Sequence, residues 1–419
     1  MGMDVAGGVS EQRLWADIER NGEFGSLDGE GRGRTAPTGS EANMRCRAYL
    51  RERMEDAGLA VRVDAVGNVV GRWEPPGASG APVASGSHLD SVPAGGIFDG
   101  PLGTYGALEA VRAMQAAGVE PSRPVEVVSF TEEEGATFGP GLLGSSVATG
   151  ARTVADALAL TDGEGHTLET ALEATGARGE GRLDAGSWDA FLELHVEQHT
   201  RLEEQGVPVG VVTDITGITH CAATVEGEAD HAGATPMGPG RGDALAAASE
   251  VVLALEAAAE ERAGTDPAAV GTVGRLAVSP NATNVVPGRA ELGVDIRSVE
   301  ADSVAALVAA TEEALAAVER ERGVETTLAT DLDLDPTPMA DRVQEAARAA
   351  GERAGVATTP LHSGAAHDAM HVADVTDAGM LFAPSRDGAS HSPREWTEPA
   401  DCAAATRVLA GALAELAGA

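Results

Sequence analysis

At 419 residues and 43% hydrophobic content, the chain has room for roughly two domains with sizeable cores, which excludes a disordered protein. Its 66 acidic residues against 29 basic ones give a formal net charge of -37, and every basic residue is arginine because the sequence has no lysine. The carboxylates are spread along the chain, so they form a solvated acidic surface that repels nucleic acid and anionic membranes. Such a surface suits a salt-rich host whose ions screen self-repulsion.

Cys46, Cys221 and Cys402 lie far apart with no CxxC spacing, which argues against a disulfide framework and a thiolate zinc site and fits a reducing cytoplasm. No segment has the ~18 uninterrupted apolar residues of a membrane span, and residues 1–12 show no basic-then-apolar leader. Met1-Gly2 is no myristoylation signal, since Ala6 stands where Ser or Thr is needed. The expectation is a cytoplasmic protein without membrane or nucleic-acid partners.

In chain order, Ser40 to Gly58 reads as an amphipathic helix with Ser40 as N-cap, Met44, Ala48, Leu50 and Met54 on one face, and Gly58 as terminator. Val61 to Arg72 reads as a strand, and Glu74 to Ala81 as a Pro- and Gly-rich surface loop. Val83 to Ser87, Thr104 to Ala117 and Val125 to Phe130 then give strand, helix, strand, the signature of an α/β fold with a mainly parallel sheet. Val211 to Gly227 (strand), Asp243 to Arg262 (Ala-rich helix), Gly271 to Val278 and Ala290 to Arg297 (strands), Asp302 to Arg320 (helix) and Thr326 to Leu332 (strand) follow the β-α-β-β-α-β order of a ferredoxin-like unit. Helix and strand signals resume at Val343. The reading is therefore a discontinuous catalytic domain, 1–213 and 331–419, interrupted by an inserted α+β domain at 214–330. Neither Ala-rich helix keeps a heptad long enough for a coiled coil.

Five segments place side chains where such a sheet gathers chemistry. His88, in GSHLD, ends an apolar strand, and open α/β sheets bind ligands at their C-terminal strand edges. Asp99 is bracketed by glycines ahead of the next helix, where an acid is by default only a cap. Glu132-Glu133-Glu134 follows the next apolar strand; by itself it is a solvated turn, but a metal ion lets neighbouring carboxylates stay ionised together. His195 lies within a strand pattern and His391 in Ser390-His391-Ser392-Pro393. Each histidine alone is more often structural; imidazole and carboxylate together, without thiolate, make the donor set of zinc, manganese, cobalt or nickel hydrolases. No Ser or Cys sits in a GxSxG elbow.

Seven segments in order, GSHLDSVPAGGIFDGPLG, FTEEEGATFGPGLLGS, LELHVEQ, GEADHAGATPM, PNATNVVPGRAELGVDIRS, SGAAHDAM and SHSPRE, run nearly end to end. Through them the chain resembles the N-carbamoyl-L-amino acid hydrolase and allantoate amidohydrolase group of co-catalytic metallohydrolases, which includes aminoacylases and carboxypeptidase-like enzymes. The resemblance implies two divalent metals bridged by Asp99, with His88 and His195 on one and Glu134 and His391 on the other. It implies Glu133 as general base and His231 as the oxyanion-stabilising group, reaching its own or a neighbouring subunit's site. Asn284 and Arg297 would hold the substrate carboxylate, a task suited to arginine's fork, and Gln198, His367 and the loop at Gly364 would line the pocket. By default Arg297 would be a structural salt bridge, Asn284 a turn residue and His231 a surface histidine.

The implied reaction is hydrolysis of a linear ureido C–N bond, with an N-carbamoyl-L-amino acid first and allantoate, ureidopropionate or ureidoglycolate as alternatives. Aminoacylase or dipeptidase action ranks lower, and a binding protein that has lost catalysis would lack a ligand or base that this sequence retains. A homodimer joined through the inserted domain, acting as a closing lid, is the implied assembly. One departure is His199 where the group has glycine after Glu197-Gln198; a side chain there narrows the pocket or restricts the backbone.

Overall fold

The strands Val83–His88, Val125–Phe130 and Ala190–Val196 are buried along their whole length, as expected of parallel strands covered on both faces. In the computed structural model, which describes residues 5–29, 31–238 and 240–419, they form the centre of a mixed sheet. Val83–His88 pairs in parallel with both Val125–Phe130 and Ala190–Val196, and Asp377–Ala383 adds a fourth parallel strand beside Ala190–Val196. The flanks are antiparallel: Val69–Trp73 joins Val125–Phe130, and Val209–Ile215 joins Asp377–Ala383. Met1-Gly2 lies outside the described residues.

The expected helix at Ser40 is Glu41–Asp56, and the Ser40 hydroxyl accepts from the Asn43 N–H as an N-cap should. The strand expected from Val61 to Arg72 is instead a hairpin, Ala60–Val63 and Val69–Trp73. Asp64 accounts for the break: its Oδ1 accepts from the N–H groups of Val66 and Asn68, a local bond that competes with a continuous strand. The helix expected from Thr104 starts earlier, as Pro101–Ala116, because Pro101 supplies the fixed φ favoured in a first turn. The strand expected from Val211 to Gly227 is split at Thr216 into Val209–Ile215 and Gly217–Glu226.

The chain divides into two compact units, residues 1–213, 339–361 and 367–419, and residues 214–338 with 362–366. In the first, Pro101–Ala116, Asp341–Ala354 and Pro399–Leu416 share one core with the sheet, including Leu102, Leu108, Val127, Leu192, Val343 and Leu409. In the second, an antiparallel sheet runs in the order Glu325–Leu334, Gly217–Glu226, Arg289–Ser298, Val270–Ser279. Alternate residues of Arg289–Ser298 are buried, and Ala290 and Leu292 share a core with Val251 of Ala244–Ala263 and Leu315 of Ala301–Arg322.

Candidate metal centre

The parallel strands put their C-terminal ends at one edge of the first unit's sheet, and the chemistry-bearing residues collect there. His88 ends its strand, Glu132 to Glu134 follow Phe130, and His195 is the penultimate residue of Ala190–Val196. Asp99 precedes the helix capped by Gly100, so glycine and not the acid occupies the N-cap. Gly100 has φ 82°, and a Cβ there would lie 2.6 Å from the His88 ring; glycine is what lets the turn close against the imidazole.

Two groups of potential ligand atoms result, His88 with Asp99 and His195, and Asp99 with Glu134 and His391, each with its atoms within 4.8 Å of one another. The Nε2 atoms of His88 and His195 both stand 3.3 Å from Asp99 Oδ1. His391 Nε2 lies 3.5 Å from Asp99 Oδ2 and 3.2 Å from Glu134 Oε2. Glu133 Oε2 sits 3.7 Å from His88 Nε2.

The tautomers follow from the backbone. His88 Nδ1 is 3.2 Å from the Asp90 carbonyl and His195 Nδ1 is 3.1 Å from the Val196 carbonyl. A carbonyl only accepts, so each Nδ1 carries a proton and each Nε2 is the ring atom turned to Asp99. Both Nε2 atoms are buried without a hydrogen-bond partner. Two buried imidazole nitrogens converging on one carboxylate oxygen call for positive charge between them, and this imidazole and carboxylate donor set fits a divalent metal.

The acidic surroundings favour positive charge at this point. Burial alone lowers the His88 pKa, but Glu133, Asp99 and Asp90 together raise it well above its usual value. Burial raises Asp99, and the two imidazoles outweigh it, holding the carboxyl well below the usual range. Burial, with Asp368, Glu134 and Asp99 adding to it, pushes Glu133 well up, against the pull of His88. The hydrogen bond to Glu134 leads the effects that raise His391 to about 9.

Of the other sequence-derived candidates, Gln198 and His367 join this edge. Gln198 Nε2 donates to Asp99 Oδ2 at 2.8 Å, and the His367 ring centroid is 4.6 Å from that of His195. His231, Asn284, Arg297 and Gly364 belong to the second unit. His231 Nδ1 accepts from the N–H groups of Gly233 and Ala234, both at 3.1 Å, which fixes the ring proton on Nε2 of an exposed imidazole. Its strand pairs with Val285–Val286, and the Asn284 carbonyl accepts from Ala232 N–H. Arg297 bonds both Asp295 oxygens, at 2.8 and 2.9 Å, and donates to the Gly364 carbonyl at 2.9 Å. His199 Nδ1 accepts from Thr200 N–H at 2.8 Å.

Sequence reasoning passed over the scaffold. Asp90, inside the quoted GSHLD, is buried and accepts the N–H groups of Glu133 and Glu134, fixing the acidic turn. Glu132 turns away from that turn's face: its Oε1 accepts from Thr137 and Phe138 N–H. Arg34, fully buried, reaches the carbonyls of Gly96, Leu89 and Asp90 at 3.0, 3.2 and 3.4 Å and so ties together both ends of the loop from His88 to Asp99. Nothing adjacent to Arg34 in sequence signals this. Asp90 was findable, as an acid two residues beyond a candidate ligand.

An α/β domain that converges imidazoles and carboxylates on one sheet edge defines a class, that of metal-site α/β enzymes. More narrowly, residues 84–415 match peptidase family M20/M25/M40, and the chain belongs to that family. It is 40% identical to an N-carbamoyl-L-amino acid amidohydrolase of Geobacillus stearothermophilus over 96% of this chain and 97% of that one. It is 35% identical to a ureidoglycolate hydrolase of Oryza sativa over 90% of this chain and 79% of that one. The crystal structure of an amidase of the hydantoinase/carbamoylase family from Burkholderia multivorans superposes with a TM-score of 0.91 at 35% identity, covering 98% of each chain.

Proposed function

We propose that the chain is a metal-dependent amidohydrolase of linear ureido C–N bonds, its first substrate class being N-carbamoyl-L-amino acids. The observation that carries this reading is the convergence of two buried imidazole Nε2 atoms on one carboxylate, in a chain 40% identical to a carbamoylase. His88, His195 and Asp99 hold one divalent cation, and Asp99, Glu134 and His391 a second, drawn from zinc, manganese, cobalt or nickel. Bound there, the pair supplies polarisation of the ureido carbonyl and a lowered pKa for a shared water.

The chain's own groups handle the protons. Glu133, raised by burial and acidic neighbours, takes a proton at its carboxylate and returns it to the departing nitrogen. One water consumed converts R–NH–CO–NH2 into R–NH2, carbon dioxide and ammonia. Gln198 and His367 line the pocket. Residues 1–213, 339–361 and 367–419 form the catalytic domain, since the strand Glu325–Leu334 carries the inserted unit past the boundary at 330 expected from the sequence. Residues 214–338 with 362–366 form a lid and dimerisation domain that brings the Nε2–H of His231 to the oxyanion and Asn284 and Arg297 to the substrate carboxylate, with Gly364 in a loop that moves on closure. The protein works as a cytoplasmic homodimer adapted to high salt.

The ureidoglycolate hydrolase relative favours a second reading on the same site, a ureido acid from purine breakdown. The deciding experiment is an ammonia-release panel of N-carbamoyl amino acids, allantoate, ureidoglycolate and ureidopropionate with each metal added. Turnover of carbamoyl amino acids above the rest is expected; no ammonia from any of them, with free amino acid released instead from added N-acetyl amino acids or dipeptides, would overturn the ureido reading.

A further inference from the structure

Asp99 carries both candidate ligand groups, so its orientation decides whether either can close. That orientation is imposed from a loop almost three hundred positions away. Glu395 is 1% exposed, and its Oε1 accepts from Phe98 N–H at 2.8 Å and Asp99 N–H at 3.0 Å. Its Oε2 lies 3.3 Å from Ser390 Oγ, which itself stands 2.7 Å from Asp99 Oδ2. Gln198 Nε2 bridges the same two groups, 2.8 Å from Asp99 Oδ2 and 3.2 Å from Ser390 Oγ. Glu395 thus grips the main chain of Asp99, while Ser390 and Gln198 hold Oδ2 of its side chain. Oδ1 is left facing the two imidazoles.

The approach of Glu395 depends on Gly96. A Cβ at that position would lie 2.1 Å from Glu395 Oε1 and 2.2 Å from its Cδ, so any side chain there would displace the carboxylate. A carboxylate taken wholly out of water needs donors in return, and the backbone N–H groups of Phe98 and Asp99 are those donors.

From this geometry we propose that Glu395 is a positioning residue for Asp99. It acts on metal affinity through the Asp99 backbone, with Ser390 as its relay to the side chain. The proposal rests on the metal-hydrolase reading, and the test separates the two. Outer partners of metal ligands contribute about 10- to 100-fold in affinity.

The test uses the full chain, freed of metal, with Zn2+ titrated against a chromophoric chelator, alongside melting of the metal-free protein as a folding control. Glu395→Ala is expected to weaken Zn2+ binding by about 10- to 100-fold. Glu395→Gln, which keeps an oxygen to accept both N–H groups, is expected to recover most of that loss, whereas a role resting on net charge alone would leave it like the alanine variant. Ser390→Ala is expected to weaken binding by a smaller factor, and it decides the matter if Glu395→Ala does not fold. Wild-type Zn2+ affinity in folded Glu395→Ala or Ser390→Ala, or no recovery in Glu395→Gln, overturns the positioning role. Failure of the wild-type chain itself to bind Zn2+ or any of the other three metals overturns the metal reading instead.

Discussion

The two ligand groups share Asp99 and are otherwise built in opposite ways. His88 and His195 stand on central strands, with side chains 0% and 1% exposed and each Nδ1 anchored on a backbone carbonyl. His391 lies in a loop at φ 52°, in the left-handed region that non-glycine residues rarely adopt, and its side chain is 52% exposed. Both groups face carboxylates, but only the first presents both its imidazoles from a buried, desolvated frame, where interactions with a cation are strongest. Burial and anchoring, beyond the presence of suitable residue types, distinguish the strand-borne pair from a ligand presented on an exposed loop.

The largest expected effect lies between the two groups. Glu133→Gln should lower kcat by about a hundred- to ten-thousand-fold while leaving metal content unchanged, since it removes proton transfer and no ligand. Loss of metal together with activity would mean that Glu133 is a ligand. Next, His195→Ala should weaken metal binding by more than the roughly 10- to 100-fold typical of outer partners, and His391→Ala should weaken it less. Equal losses in calorimetric titrations would erase the contrast between the groups. Arg34→Met removes the guanidinium beneath the buried group and leaves the carbonyls of Leu89, Asp90 and Gly96 without it. A loss of about 3 kcal/mol in urea unfolding of the metal-free chain is expected, and an unchanged midpoint would show that the buried frame stands without Arg34.

The smallest effect belongs to the second unit. Burial raises Asp295, but the Arg297 bonds, the Arg297 charge and His220 outweigh it and hold the carboxyl below its usual value. A depressed folded pKa adds stability above the unfolded value of about 3.9 and loses it as pH falls through the folded one. Asp295→Asn should therefore flatten the acid limb of a melting-versus-pH curve below about pH 4. An acid limb identical to wild type would show that the pair contributes nothing to the acid sensitivity of folding.

Much of this was legible in advance for physical reasons. Strands such as Val125–Phe130 announce themselves as apolar runs, and Ser40 announces its helix by capping chemistry. The hairpin at Asp64 was missed because a side chain bonding its own backbone two and four residues on outcompetes a strand pattern that looks continuous. The site split in the same way. Ligand-type residues at strand ends stand out, whereas Glu395 and Arg34 act on backbone groups that carry no residue identity.

The sequence by itself determined the residue types and their order: an acidic surface without lysine, strands ending in His and Glu, and glycines beside Asp99. Only the tertiary structure decided which nitrogen of each histidine faces Asp99, which oxygen of Asp99 each imidazole meets, and that Gln198 turns to Asp99. Those choices depend on contacts between segments up to some three hundred residues apart. Local propensity extends over a few residues and cannot encode them, while packing of the parallel strands brings the segments into hydrogen-bonding distance.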